Sequence, residues 1–286
     1  SRKAVPMITG MTVNMAVAIA EKRAQRAGSG VYAGRARVMI ERAVYAAKSS
    51  NWLVIVSGFV EPVLYLAAFG FGIGQLIGNL EDGNGNPVSY AAFIAPALLA
   101  TSAMNGAIYD ATWNVFFKMH FGKVYQMVLS SSLGPLDVAL GEIAWALLRG
   151  AAYSVGFMAI AAPLGLVTSW WGILAIPAAT IIAFGFASFG MAVTSYMKNF
   201  QQMQWVSFAL LPMFLFSGTF FPVSVYPEWV QSIVMALPLW QGVELVRGLM
   251  LGNISWSLLG HLVYFAVMIA IGLVFTTRRL RELFMR

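Results

Sequence analysis

The chain has 286 residues, 59% of them hydrophobic and only 10% charged, with a mean hydropathy of +0.75; soluble domains average roughly 25% charged residues, so this much apolar surface needs lipid as its solvent. The net charge of +7 flanks apolar runs instead of forming a basic stripe on a polar fold, which argues against a nucleic-acid partner. The absence of cysteine excludes disulfides, thiolate metal sites and cysteine nucleophiles.

Residues 1–30 are expected to form a flexible cytoplasmic N-terminus with Gly28, Ser29 and Gly30 as a joint. Its apolar stretch, residues 6–20, is broken by Thr9, Gly10, Thr12 and Asn14; it is too short to span and lacks the cleavage context of a secretory signal. In residues 31–48, Tyr32, Ala36, Met39, Ile40, Ala43, Val44 and Ala47 recur at helical spacing, with Arg35, Arg37, Glu41, Arg42 and Lys48 on the other face. Such a helix either lies in the membrane interface, its bases toward anionic head groups, or docks on protein; the direct run into Trp52 favours the interface.

Residues 49–286 read as an all-α transmembrane domain of six helices, since spanning takes about 20 apolar residues. The spans fall at about 52–74, 90–113, 135–164, 171–197, 201–220 and 255–277, and the acidic, turn-rich stretch between the first two (Glu81, Asp82, Gly83, Asn84, Gly85, Asn86, Pro87) reads as a solvated outer loop. With the N-terminus inside, every Lys and Arg of the 18 except Arg149 and Arg247 falls on the inner side, so both ends are expected in the cytoplasm.

The inner connection 114–135 is too polar to span and too apolar to be fully solvated. A short helix around residues 123–130, with Val124, Met127 and Val128 on one side, would offer a knob to another protein or simply rest on the membrane surface. Pro135 suits the first turn of the third span, with Asp137 near the positive end of its dipole. On the outer side, residues 221–253 form two apolar stretches broken by Pro238. Each is too short to cross, so the segment should dip in and return, a shape tolerated at membrane depth only where protein or a wet cavity shields the backbone. Glu244 and Arg247 are placed to pair across one turn.

Ionisable groups within spans are expensive. Glu61 falls near the middle of span one, while Arg149 lies in span three with Glu142 seven residues before it on the same face. Either Arg149 pairs with Glu61 or Glu142 between helices, or these groups form a polar patch on a transport path; Asp110 and Asp137, near the inner boundary, read as ordinary. Spans two and five carry Thr101, Ser102, Asn105 and Tyr109, and Gln204, Trp205, Ser207, Phe208, Phe214 and Phe216. Mixed aromatic and small polar walls suit an amphiphilic ligand, though aromatic residues at this spacing also serve plain helix packing. The candidates for a path or gate are Glu61, Asn105, Trp205, Phe208, Phe216, Glu244 and Arg247. His120 and His261 are far apart, and His, Asp and Glu do not cluster at acid/base or ligand spacing, so no catalytic or metal site is assigned.

Three stretches carry a family resemblance: Glu61-Pro62 through Gly74; Tyr125-Gln-Met-Val-Leu-Ser-Ser-Ser-Leu-Gly-Pro-Leu-Asp137; and Phe216-Ser-Gly-Thr-Phe-Phe-Pro222 with Tyr226-Pro-Glu-Trp229, Leu237-Pro-Leu239 and Glu244-Leu-Val-Arg-Gly248. In this order they resemble the permease subunits of type-2 ATP-binding-cassette exporters, in the daunorubicin-resistance and nodulation-factor branch, over residues 35–286. The resemblance implies a multi-pass protein of the bacterial plasma (inner) membrane with an N-terminal interfacial helix, a cytoplasmic coupling helix and an extracellular re-entrant hairpin. It implies a second permease copy or a homologous permease, and separate ATPase subunits that hold ATP and Mg and contact Lys123, Val124, Tyr125, Gln126, Met127, Leu129, Ser130 and Ser131. The chain itself agrees with that division, because Gly122-Lys123 is followed by Val124 and lacks the spacing of a phosphate-binding loop. The implied cargo is a hydrophobic or amphiphilic compound, a drug, lipid or glycolipid, moved outward. An ion- or proton-coupled secondary transporter is the competing reading, since its discontinuous helices would look similar.

Overall fold

The computed structural model describes residues 34–48, 60–81, 85–130 and 133–284. Residues 1–30, the start of the first predicted span, Asp82, Gly83, Asn84 and Ser131 lie outside the described residues.

Helix α1, Ala36–Lys48, packs along the third predicted span. Met39 is buried there, against Gly141, where an added Cβ would come within 2.3 Å of the Met39 Cβ; only glycine permits that approach. The Arg35 backbone N–H donates to Asp137 at 2.9 Å. The helix is therefore docked on protein along one edge, while Val38 and Tyr45 remain exposed on the other.

Helix α2 spans Val60–Ile77 and widens into a π-helix over Leu66–Ile73. Most of it faces outward, and Leu64, Phe71 and Leu76 are exposed. The expected outer loop forms a small β-hairpin, β1 Asn79–Glu81 antiparallel to β2 Pro87–Ser89 in the register Asn79↔Ser89, an exception to the all-α expectation. Ser89 accepts a hydrogen bond from the Ala92 N–H at 3.3 Å and so caps the next helix.

Helix α3, Tyr90–His120, is the buried axis of the bundle. Its lining of alanines lets neighbours approach closely, as apolar helices in lipid require, since packing rather than water drives their association. It continues past the predicted end at residue 113 through a π-helical turn, Asp110–Asn114. Helix α4, Val124–Leu129, follows Lys123, whose φ is +46°. Helix α5, Pro135–Ala161, opens with Pro135, and Asp137 accepts from Gly134 N–H at 2.9 Å. Asp137 is thus a fully buried cap shared by α1 and α5, not the ordinary boundary residue the sequence suggests.

Helix α6, Trp170–Tyr196, packs against α3, α5 and the last helix, α10, Ser257–Phe284. At the α6–α10 crossing a Cβ on Gly272 would meet the Ser188 backbone at 2.6 Å, so the closest contact depends on one missing methyl. Helix α7, Met203–Phe216, has 14 residues, about 21 Å of rise against a hydrocarbon core of about 30 Å. The predicted fifth span, 201–220, is accordingly shorter than expected: it stops at Ser217, and Gly218 with φ +69° turns the chain back into the protein. Helices α8, Glu228–Ala236, and α9, Pro238–Leu251, meet at 84°. Leu237 is held extended before Pro238, as a residue preceding proline prefers, and proline at the first position starts α9. Among the described residues, five helices are long and apolar enough to cross a bilayer, or six if the bent pair counts as one.

Candidate functional site

Because α7 makes little contact with the bundle, a crevice opens on each of its sides. On one side, Glu61 and Tyr65 of α2, Thr101 and Asn105 of α3, and Ser207 of α7 line a mixed cavity of about 260 Å³. On the other, α7 stands off from α6 and the bent pair, leaving an almost wholly apolar slot of about 860 Å³ lined by Trp205, Phe216, Phe186, Trp229 and Met268 among others. This volume is within the range of ligand pockets. Leu210 lines both, so α7 is the partition between a mixed and an almost wholly apolar compartment.

The structure thus brings Glu61 together with Asn105, and Trp205 together with Phe216. Phe208 lines neither cavity; it is exposed and edges onto Trp205 at 6.2 Å. Glu61 is exposed and has no ion-pair partner among the described residues, so both pairings foreseen for Arg149 are replaced by others. Arg149 reaches Asp110 at 3.0 Å, and Glu142 reaches Lys118 at 2.6 Å.

Antiparallel geometry explains the exchange. On α3, Asp110 and Lys118 are eight residues apart, about 12 Å; on α5, Glu142 and Arg149 are seven apart, about 10.5 Å. Two helices running in opposite directions then present acid to base at both rungs. Asn114 donates to Asp110 at 2.6 Å, and the Arg149 guanidinium lies 5.6 Å from the Tyr153 ring centroid. Asp110 Oδ2 and Arg149 Nε remain buried without a hydrogen bond. The signal was present in Asp110, Asn114 and Lys118 at four-residue spacing, but it is legible only if the helix runs past Trp113.

The lower rung touches α4. Tyr125 is fully buried, and burial together with the nearby Glu142 carboxylate pushes its phenol well above the ordinary tyrosine range. Of the eight residues expected to meet an ATPase, Tyr125 and Leu129 are buried and anchor α4 to the bundle. Lys123, Gln126, Met127 and Ser130 are exposed and Val124 is half-buried.

In α9, Glu244 and Arg247 pair at 2.5 Å, as their spacing predicts, but line neither cavity. The buried Arg247 guanidinium also donates to the Gly218 carbonyl at 2.8 Å and stacks over Phe93 at 4.1 Å. It therefore clasps the turn after α7 to α3 and α9, a connection between distant segments that sequence spacing could not reveal. Arg247→Met should cost about 1.5–3 kcal/mol, the worth of a hydrogen bond to a charged group, read as a lower unfolding midpoint in detergent. Arg247→Lys should restore less than half, because one ammonium cannot reproduce the planar fork.

Comparison with known proteins adds an independent line. The family model for the ABC-2 type transporter matches residues 35–251. The chain is 32% identical over 234 residues to nodulation protein J of Rhizobium leguminosarum bv. viciae, covering 81% of this chain and 88% of that protein. It is 33% identical over 219 residues to nodulation protein J of Sinorhizobium fredii, covering 75% and 81%. It is 30% identical over 201 residues to the protein of that name from Rhizobium meliloti, covering 70% and 74%.

Proposed function

This chain belongs to the ABC-2 type transporter family, and from that premise we propose that it is the permease of an exporter moving a hydrophobic or amphiphilic compound out of the cytoplasm. Membership makes it the membrane subunit of a transporter whose ATPase, with its ATP and Mg, is a separate polypeptide. The observation that carries the finer reading is the position of α7 between two crevices. A polar group of the cargo is served by Glu61, Thr101, Asn105 and Ser207, and the open side of that crevice, formed by the exposed faces of α2 and α7, is completed by a second permease copy.

Orientation follows from the bases. Arg279 donates to the Ser195 carbonyl at 3.4 Å, tying the end of α10 to the end of α6, and α10 also touches α4. Lys123, Lys198, Arg278 and Arg281 therefore belong to one end of the bundle, which we place in the cytoplasm of a bacterium, at its inner membrane. There the exposed side of α4 receives the ATPase.

The test is reconstitution of the permease with its ATPase in inside-out vesicles: ATP-dependent accumulation of an amphiphile supports the reading, and uptake driven by an ion gradient alone overturns it. Glu61→Gln should slow transport several-fold while leaving the unfolding midpoint unchanged, because the exposed carboxylate carries no ion pair among the described residues. Equal transport by the variant removes Glu61 from the path.

A further inference from the structure

The cytoplasmic end of α10 carries three arginines within one turn, and they divide their work. Arg279 is engaged: it reaches Glu282 at 3.2 Å, the Ser195 carbonyl at 3.4 Å and the Tyr196 ring at 4.8 Å. Arg278 and Arg281, three residues apart and exposed, have no ion-pair partner among the described residues. Both instead rim a separate crevice of about 390 Å³ whose floor is Leu136 of α5 with Leu273 and Val274 of α10. Between rim and floor sits Thr277, which is 8% exposed and whose hydroxyl is buried without a hydrogen bond.

We propose that this crevice binds one anionic phospholipid of the adjacent leaflet. The phosphate lies between Arg278 and Arg281, and an acyl chain runs down the apolar floor. Each part excludes an alternative. Favourable placement of bases at a helix C-terminus accounts for Arg281 but not for a crevice that sets an apolar floor beside both arginines. A free inorganic anion would use the arginines and leave Leu136, Leu273 and Val274 bare. A neutral lipid would fill the floor and leave two cations unmatched. Basic pockets at the cytoplasmic ends of membrane helices recognise anionic head groups by this combination. The site is independent of α7 and of the two crevices that carry the transport reading, so it stands or falls separately.

Native mass spectrometry of the purified chain, exchanged against phosphatidylglycerol and phosphatidylcholine with identical acyl chains, tests it. Wild type should retain phosphatidylglycerol about tenfold better. Arg278→Gln with Arg281→Gln should abolish that preference, and Arg281→Gln alone should reduce it several-fold. Lys198→Gln, an exposed charge at the same end that lines no part of the crevice, should change nothing, and millimolar inorganic phosphate should not displace the lipid. Equal retention of the two lipids by wild type overturns the proposal, as does an equal loss in Lys198→Gln. Displacement by phosphate alone would make this a free-anion site and overturn the lipid assignment.

Discussion

Replacing Arg149 with methionine should destabilise the protein by about 3–5 kcal/mol, the cost of breaking a buried ion pair from one side. The Asp110 side chain is only 4% exposed and that of Arg149 15%, and among the described residues Arg149 is the one base that forms an ion pair with this carboxylate. Left alone at that depth, a carboxylate must be neutralised or drag water into the bundle. The loss should appear as a large drop in unfolding midpoint in detergent, or as failure to accumulate. Asp110→Asn in the Arg149→Met background removes the orphaned charge, keeps a partner for Asn114, and should recover most of the stability. If Arg149→Met proves as stable as wild type, the rung is solvated and the packing of α3 on α5 does not depend on it. The lower rung should respond more mildly: Lys118 is 33% exposed, and water can partly replace it for Glu142.

The same pair shows what sequence could and could not reveal. Helices, the bent pair and the short helix α4 were legible because each rests on local information: apolar runs of spanning length, Pro238 between two runs too short to cross, Pro135 opening a helix. The Glu244–Arg247 pair was legible for the same reason, as two residues one turn apart. Partnerships between helices were not, because they depend on which helices are neighbours and on their vertical register. Glu61 and Arg149 lie in different helices that composition alone allows to touch; the structure instead gives Arg149 to Asp110 and leaves Glu61 in a crevice. Ends were misjudged where side chains from elsewhere decide them. Helix α3 continues past Trp113 because Asp110 and Lys118 find partners on α5, and α7 ends early because Arg247 holds the carbonyl of Gly218. Burial on so short a helix as α4 was also illegible: its apolar face was assigned to Val124, Met127 and Val128, whereas Tyr125 and Leu129 go inside and Met127 stays out.

That inversion makes α4 the place for the largest functional effect. Met127 is 65% exposed beside exposed Gln126, while Tyr125 one residue earlier is locked in the core near Glu142. A six-residue helix has too little hydrogen bonding of its own to hold a shape, so this anchor is what fixes its exposed face for the proposed contact with the ATPase. If the proposed seat of the ATPase on α4 is right, Met127→Glu should remove an exposed apolar side chain from the contact and add a charge there, weakening association by about 2 kcal/mol or more, roughly 30-fold. It should abolish ATP-driven transport while leaving the permease's unfolding midpoint where it was. Tyr125→Ala should do the opposite first: it empties a buried aromatic site at about 3–5 kcal/mol, so folding suffers along with coupling. Tyr125→Phe keeps the packing and removes only a buried hydroxyl beside Glu142, so it should cost far less than Tyr125→Ala. The readouts are co-purification of the ATPase, its hydrolysis rate in the complex, and vesicle transport, measured on all three variants. Undiminished ATPase binding by Met127→Glu would show that the motor grips the permease elsewhere, and the rigid seating of α4 would then serve only the fold.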